Sequence, residues 1–437
     1  MRALLTAVVL TAHLSPVAAA QGKPSPLAGR VDAAVAAVTP KVVTWRRDIH
    51  QHPELGNREF RTAKLVAEHL KALGLEVQTG VAHTGVVAVL RGGKPGPVVA
   101  LRADMDGLPV TEQVDVPFKS AAKAEYNGQE VGVMHACGHD NHVAILMGTA
   151  EVLAGMKADL PGTVKFIFQP AEEGPPAGEE GGAEMMIAQG VLANPAPSAI
   201  FGLHVWPVPV GTISYRSGAT MAASDELRIK VKGRQTHGAL PWGGVDPIYV
   251  SAQIITALQG IIGRQTDITK APAIITIGEI KGGNRGNIIP DSVMMTGTIR
   301  TFDAGVRKDI QERITRTAEM IAQAAGATAT VDFGTGNNPG TYNDPGLTAR
   351  MLPTLERSAG KDKVMIEPLV TGAEDFSLFQ QRIPGLFFFL GVAPAGADLK
   401  TIARNHSPHF FADEGALPLG VRAMTNLALD YLAGAGR

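Results

Sequence analysis

Residues 132–143, GVMHACGHDNHV, combine the only cysteine of the chain with three histidines. Cys137 and His139 are separated by one residue, and His135 and His142 flank them. A thiolate and an imidazole at this spacing, in a loop that contains glycine, can bind one metal ion, and zinc accepts both. The thiol could instead be a nucleophile with His139 as its base, or a buried thiol among surface histidines. The segment by itself leaves these three interpretations open.

Two pairs of carboxylates follow apolar strand patterns. Asp104 and Asp106 end the segment VVALRADMD, and Glu172 and Glu173 follow FIFQPA. Adjacent carboxylates at the end of a buried strand are costly, because desolvation and like charge both disfavour ionisation. A nearby divalent cation removes that cost, and one glutamate could then bind the ion while the other moves a proton. The alternatives are a turn or helix cap for the aspartates and an exposed acidic loop for the glutamates.

Further imidazoles lie at the ends of other segments. His204 stands in the apolar run IFGLHVW, and His406 and His409 lie in RNHSPHF. A single histidine in an apolar strand is more often a core residue than a ligand. Together, however, the thiol, the imidazoles and the glutamates exceed the four ligands of a structural zinc site. The set suits two ions that share bridging groups and activate a water molecule.

The elements that would position these residues alternate along the chain. Helical spacing in NREFRTAKLVAEHLKALG and DNHVAILMGTAEVLAGM is interspersed with β-rich runs such as GVVAVLRG, PVVALRADMD and TVKFIFQP. The alternation predicts an α/β fold whose mostly parallel sheet is flanked by helices. Since the chemistry of such folds lies at the carboxyl ends of the parallel strands, the carboxylate pairs and His204 are expected at one edge.

The pattern changes near Ser217. From there the order is β-α-β-β-α-β, which is typical of a ferredoxin-like α+β domain. We therefore predict an inserted domain at residues 217–334, between a first part of the main domain at 28–216 and a second part at 335–437.

The N-terminus carries the pattern of an export signal. Arg2 precedes the apolar run ALLTAVVLTAHL, and VAAA ends it. We predict a signal peptide at residues 1–20, cleaved after Ala20, and an exported protein that is periplasmic or secreted. The apolar run is shorter than the ~20 residues of a spanning helix, so no stable membrane insertion is expected after cleavage. An uncleaved anchor is the alternative.

The composition argues against nucleic acid as a partner. There are 40 basic and 41 acidic side chains, a formal net charge of −1, and 5% aromatic residues. No basic tract supplies the electrostatic footprint that nucleic-acid binding needs. The lone cysteine also excludes an internal disulfide.

The segments, taken as a set and in order, resemble the M20 metallopeptidase family. The similarity is to its amidohydrolase branch, which includes hippurate hydrolases, N-acyl-amino-acid amidohydrolases and indoleacetyl-amino-acid hydrolases. The matching segments are RRDIHQHPELGNRE, ALRADMDGLPV, MHACGHDNHVAILMG, FIFQPAEEG, GLHVWP, THGALPWGGVDPI, GNIIPDSVMMTGTIRTF, TGAEDFS and NHSPHF.

The resemblance implies a di-metal catalytic domain with an inserted lid that serves dimerisation, and hence a homodimer. It implies two divalent ions per subunit, zinc or manganese with cobalt as a further option, bound by Cys137, His139, Glu173, His204 and His406. It also implies roles outside that set: Glu172 as general base and acid, Asp106 as an orienting carboxylate, His237 at the oxyanion, and Asn287 and Arg300 as substrate-binding residues. The expected reaction is hydrolysis of the amide bond of a small N-acyl amino acid, with a dipeptidase or small-peptide carboxypeptidase as the alternative.

The chain departs from the branch at two positions of the inserted domain, where many relatives have histidine for Trp242 and glycine for Thr236. His237 and the Asp246-Pro247 turn are kept, so the departures bear on the shape of the pocket near the lid.

Two functions from other classes compete with a metal-dependent hydrolase. One is a thiol hydrolase with Cys137 as nucleophile, and the other is an exported binding protein that closes on its ligand.

Overall fold

The structure is a computed structural model and describes residues 24–334 and 337–434. Its helices are α1 (Ala28–Gln51), α2 (Phe60–Ala72), α3 (His139–Ala154), α4 (Gly182–Ala188), α5 (Pro247–Gly260), α6 (Ala304–Ala324), α7 (Pro345–Ala359), α8 (Phe376–Gln380) and α9 (Leu417–Gly434). Its strands are β1 (Glu76–Val81), β2 (Gly85–Arg91), β3 (Lys94–Asp104), β4 (Lys123–Tyr126), β5 (Gln129–Gly132), β6 (Pro161–Gln169), β7 (Ile200–Pro209), β8 (Ile213–Tyr215), β9 (Gly218–Met221), β10 (Ala223–Lys232), β11 (Thr236–His237), β12 (Ala273–Lys281), β13 (Ile288–Ile289), β14 (Ser292–Thr301), β15 (Thr328–Asp332), β16 (Thr341–Asn343), β17 (Val364–Ile366) and β18 (Gly385–Ala393). In this part of the chain no helix combines the length and apolar composition needed to cross a membrane. The predicted signal peptide lies outside the described residues.

An eight-stranded sheet in the order β1-β2-β6-β3-β7-β18-β8-β17 forms the larger unit. Its central neighbours β6, β3, β7 and β18 are parallel. Asp104 at the end of β3 lies opposite Gln169 at the end of β6. The two carboxylate pairs therefore leave the sheet at the same edge, and the predicted α/β class with a mainly parallel sheet is confirmed.

Helices cover both faces of this sheet because its strands are apolar on both sides. In β18, Leu386, Phe388 and Leu390 pack into the core shared with α1, α3 and α9. Phe387 and Phe389 point the other way, into the core shared with α4 and α8. The alternation follows from the period of two along a strand.

A four-stranded sheet in the order β12-β14-β10-β15 forms a second unit with its own hydrophobic core. Helices α5 and α6 connect its strands in the β-α-β-β-α-β order that the sequence predicts. Each pair in this sheet is antiparallel. The strands fall within the interval predicted for the inserted domain, whose boundaries stay a prediction.

Helix α1 starts at Ala28 and carries Pro40 inside it. Val31, Val35 and Val38 extend the buried stripe toward the N-terminus at spacings of four and three residues. Packing of this stripe against the core outweighs the hydrogen bond that proline removes.

Candidate metal centre

The loop before α3 depends on a glycine. Gly138 has φ +96, and a Cβ at this position would lie 2.3 Å from Cγ2 of Val205. Glycine reaches this left-handed conformation at no steric cost. The turn sends Cys137 and His139, the first residue of α3, toward the same space. The Sγ atom of Cys137 lies 3.3 Å from Nε2 of His204, a residue of β7.

Asp106 connects this loop with the glutamates that follow β6. Its Oδ1 atom lies 3.2 Å from Nδ1 of His139, and its Oδ2 atom accepts a hydrogen bond of 2.9 Å from the backbone N–H of Glu173. The chain turns at Ala171, which has φ +51. Oε2 of Glu172 then lies 3.8 Å from Nε2 of His139. Asp106 thus contacts both His139 and the backbone of Glu173, and its orienting role stays a prediction.

His406 reaches the cluster from the C-terminal part of the chain. Its backbone N–H donates to the carbonyl of Ala136, and its Nε2 atom lies 3.0 Å from Oε1 of Glu173. Asn405 anchors the same turn by donating to the carbonyl of Cys137. The Glu173 carboxylate raises the pKa of His406. His409, which the sequence singled out beside it, is exposed.

The predicted ligands form overlapping groups of three. Cys137, His139 and His204 make one group, and Cys137, Glu173 and His406 make another. Within each group the ligand atoms lie within 4.8 Å of one another. Cys137 belongs to both groups, so the two groups are neighbours.

The polar atoms of the cluster fit a cation. Nε2 of His139 is buried and has no hydrogen-bond partner among the described residues. Burial, and then Glu173 and Glu172, raise the pKa of the Cys137 thiol well above its ordinary value. A thiolate beside two carboxylates in a buried site needs a positive charge. Sulfur, imidazole and carboxylate are the donors that zinc prefers, so the residues fit the implied ions.

The same electrostatics argue against a thiol nucleophile. A nucleophilic cysteine lies in electropositive surroundings that lower its pKa, whereas Cys137 lies among carboxylates. Its sulfur contacts the imidazole of His204 at 3.3 Å, a residue that this hypothesis leaves without a role.

Glu172 lies in an environment that disfavours its charged form. Its side chain is 8% exposed. Burial, and then Glu374 and Glu173, raise its pKa well above the ordinary value. A raised pKa makes the ionised carboxylate a stronger proton acceptor, which suits a general base.

Arg102 and its partners lie directly beside the cluster and were not assigned roles from the sequence. The guanidinium is 1% exposed and lies 2.6 Å from Asp104 and 2.9 Å from both Glu374 and Asp375. Burial raises the pKa of Glu374 to about 8. A signal was available, since an arginine stands inside the apolar strand segment VVALRADMD and TGAEDFS carries two adjacent acids.

The sequence gives no metal role to His142 or His135. The two differ in their hydrogen-bond partners. His142 accepts a hydrogen bond from the backbone N–H of Val205 through Nε2 and lies 2.5 Å from Asp104 through Nδ1. Both ring nitrogens of His135 are buried without a hydrogen-bond partner in the described residues. Neither is among the groups that Cys137 forms.

The predicted lid residues lie on the second unit. His237 of β11 pairs with Ile288 of β13, and the N–H of Gly238 donates to the carbonyl of Asn287, so His237 and Asn287 are neighbours. Both are exposed. Within the described part of the chain, neither side chain hydrogen-bonds to the metal cluster. Arg300 on β14 is half-buried, and burial lowers its pKa.

A family model described as peptidase family M20/M25/M40 matches residues 100–430. The chain belongs to this family. It is 44% identical over 392 residues to thermostable carboxypeptidase 2 of Saccharolobus solfataricus, across 89% of this chain and 95% of that protein. It is 37% identical over 394 residues to N-acetylcysteine deacetylase of Bacillus subtilis, across 90% and 97%.

A solved structure agrees with this membership. The chain superposes with a TM-score of 0.75 on a dinuclear metal-binding peptidase of the M20 family from Bacillus subtilis. The two are 35% identical, across 91% of this chain and 99% of that one. M20 membership makes the protein a metal-dependent hydrolase of amide bonds, and the predicted reaction class is confirmed.

Proposed function

We propose that this M20 hydrolase cleaves the amide bond of small N-acyl amino acids at the Cys137 cluster. Two overlapping groups of potential ligands carry the proposal: Cys137 with His139 and His204, and Cys137 with Glu173 and His406. In addition, the buried Nε2 atom of His139 has no hydrogen-bond partner among the described residues. Those five residues would hold two divalent ions, zinc or manganese, with cobalt as a third option. Bound there, the ions would lower the pKa of water and polarise the substrate carbonyl.

The surrounding side chains transfer the proton, position the ligands and stabilise the oxyanion. Glu172 takes the proton of the attacking water and returns it to the departing amine, since it is buried beside His139 and its pKa is raised. Asp106 holds His139 and the Glu173 backbone in place. His237 stabilises the developing oxyanion.

The lid would complete the substrate site in a homodimer. His237 and Asn287 are exposed neighbours on the second unit, so their side chains are available to a partner subunit. Asn287 and Arg300 would bind the carboxylate of the substrate. Light scattering of the purified protein tests the dimer, and a monomer that retains full activity contradicts it.

Glu172→Gln tests the assignment of the two glutamates. We expect turnover of N-acetyl amino acids to fall about 10²–10⁴-fold, the usual contribution of a general base, while metal content stays near wild type. Glu173→Gln should lose bound metal, and Glu180→Gln, an exposed glutamate of the same segment, should change neither property. Equal loss of metal and activity in Glu172→Gln would mean that the roles are reversed.

Removal of the metal separates this hydrolase from the thiol enzyme and the binding protein. A chelator should abolish turnover, and zinc or manganese should restore it. Turnover that persists in chelator supports a thiol mechanism. Tight binding of an N-acyl amino acid without product, in the metal-loaded protein, supports a binding protein.

A second candidate is cleavage of short peptides by the same residues. The 44% identity to thermostable carboxypeptidase 2 favours it. A panel of N-acetyl and N-benzoyl amino acids, assayed beside dipeptides and a C-terminally extended peptide, distinguishes the two. Higher kcat/KM for the peptides would replace the N-acyl proposal.

Export to the periplasm or medium is also proposed, on the basis of the N-terminal sequence pattern alone. Mass spectrometry of the native protein should find a mature N-terminus that begins at Gln21. A chain that retains Met1 in a membrane fraction would support the uncleaved anchor.

A further inference from the structure

The turn that contains Glu172 is held on both sides by a buried carboxyl group. Asp106 accepts the backbone N–H of Glu173 at 2.9 Å. On the other side, Glu59 accepts the backbone N–H of Ala171 at 2.8 Å, from a position 112 residues earlier in the chain. Glu172 therefore lies between two anchored peptide groups. The sequence indicated a role for Asp106 but none for Glu59.

The side chain of Glu59 is not used by its own helix. Glu59 is the residue before the first turn of α2, yet its carboxyl group makes no capping hydrogen bond. The N–H groups of Arg61 and Thr62 are instead accepted by Glu54, at 2.9 Å each. Stabilisation of this helix therefore does not explain a buried acid at position 59.

Both carboxyl oxygens of Glu59 contact loops at the edge of the large sheet. Oε1 accepts the N–H of Ala171, and Oε2 hydrogen-bonds with the hydroxyl of Thr84 at 2.5 Å. Glu59 and Thr84 are buried, and hydrogen bonds are stronger in a buried site of low dielectric than in water. The carboxyl group thus ties the turn after β6 to the turn between β1 and β2.

Ala171 has a backbone conformation that needs such support. Its φ is +51, a left-handed conformation that a residue with a Cβ adopts only at a steric cost. The hydrogen bond from its N–H to Glu59 stabilises this conformation. The direction of the next side chain depends on it, and Oε2 of Glu172 lies 3.8 Å from Nε2 of His139. Relaxation of Ala171 to a negative φ would turn Glu172 away from His139.

From this geometry we propose that Glu59 is a positioning residue for Glu172. It acts through the backbone of Ala171, and none of its hydrogen bonds within residues 24–334 and 337–434 goes to a proposed metal ligand. The inference rests on the proposed role of Glu172 as the general base. Because Asp106 holds the N–H of Glu173 separately, loss of Glu59 should impair the base and leave metal binding intact.

Glu59→Met in the metal-loaded protein tests the proposal. Methionine keeps the volume of the side chain and offers only a weak acceptor. With the best substrate of the N-acyl and dipeptide panel, kcat should fall about 10²-fold, since a misplacement of about 1 Å in an active site can cost that factor. KM and metal content should stay near wild type. Glu59→Ala serves the same test if the methionine variant does not fold.

The conservative variant Glu59→Gln should recover most of the lost kcat. Burial, and then Asp106, raise the pKa of Glu59 to about 8, so the carboxyl group is largely neutral at pH 7. Glutamine matches this neutral group in shape and keeps an oxygen for the N–H of Ala171. A kcat as low in Glu59→Gln as in Glu59→Met would contradict the proposal.

Thr84→Val is the matched control for loss of a buried hydrogen bond. It removes the second contact of Glu59 and leaves the contact with Ala171 in place. Urea midpoints should fall in both Thr84→Val and Glu59→Met, whereas kcat should fall only in Glu59→Met. Equal losses of kcat in the two variants would mean that Glu59 has a structural role only.

A double-mutant cycle tests whether Glu59 acts through Glu172. In the Glu172→Gln background, Glu59→Met should lower the residual kcat no further, because residues that act as one unit give non-additive losses. A fall by the same factor in both backgrounds would overturn the proposal.

A crystal structure of metal-loaded Glu59→Met tests the positioning without turnover. We expect the turn at residues 171–174 to move and Glu172 to leave its place beside His139. An unchanged turn would overturn the positioning role. Wild-type protein that hydrolyses no substrate of the panel would overturn the proposed reaction instead, and a displaced turn in Glu59→Met would then support the positioning of Glu172 by itself.

Discussion

Arg46 and Arg47 are neighbours in α1 with opposite burial, and replacing each by methionine tests how the metal-ligand loop is held. Arg46 is 2% exposed, and its Nε atom lies 2.8 Å from Oδ2 of Asp140, which is fully buried and follows His139. Arg47 is 51% exposed and pairs with Glu414. Methionine keeps most of the side-chain volume and removes the charge.

Arg46→Met should lower the free energy of unfolding, because it leaves the Asp140 carboxylate buried without its arginine. Breaking a buried ion pair from one side costs about 3–5 kcal/mol, because the other charge stays buried without compensation. His50 keeps its contact of 2.8 Å with the same carboxylate oxygen. We therefore expect Arg46→Met to lower the free energy of unfolding by about 3 kcal/mol, the lower end of that range. The Arg47→Met change removes an exposed pair and should cost no more than about 1 kcal/mol.

The pH dependence has a definite sign. Burial alone would raise the pKa of Asp140, but Arg46 and His50 outweigh it and hold the pKa well below the ordinary value. A depressed carboxyl pKa stabilises the fold above the unfolded-state pKa, and the contribution is lost as the pH falls through the folded-state value. The difference between wild type and Arg46→Met should therefore be largest near neutral pH and shrink below about pH 4.

Urea unfolding of the three proteins in chelator, at pH 7 and at lower pH, measures these differences in the free energy of unfolding. Metal titration of the same proteins should show weaker binding in Arg46→Met, because residues that hold metal ligands typically contribute 10–100-fold to affinity. Equal losses for the two arginines, or a deficit that grows in acid, would refute the assignment of Arg46 as the group that compensates Asp140.

Two further predictions concern single side chains near the site. Gly138→Ala should lower the free energy of unfolding by about 1–3 kcal/mol, because φ is +96 and the new Cβ would meet Val205. The control is Gly155→Ala, where φ is −64 and the nearest atom to the new Cβ lies 3.5 Å away. Equal urea midpoints for the two variants would contradict the argument. Burial, and then Asp106, raise the pKa of Glu59 from 4.5 to about 8. Between these two pH values Glu59 is protonated in the folded protein and ionised in the unfolded chain. Wild type should therefore lose stability relative to Glu59→Gln as the pH rises through that window, and parallel pH profiles of unfolding would contradict it.

The sequence by itself determined the fold class and the chemical types at the site. The strand pattern of VVALRADMD and TVKFIFQP was sufficient to place Asp106 and Glu172 at one sheet edge, because parallel strands end together. The spacing of Cys137 and His139 allowed a metal loop, and the resemblance of the whole set of segments to the M20 family selected that interpretation. These inferences depend on local periodicity and on the rules of strand connection, which a single sequence carries.

Only the tertiary structure decided which distant groups neutralise one another. Arg102 meets Glu374 across more than 270 positions of sequence, and Arg46 meets Asp140 between two helices. No local pattern encodes such pairs, since the partner of a buried charge depends on how separate elements pack.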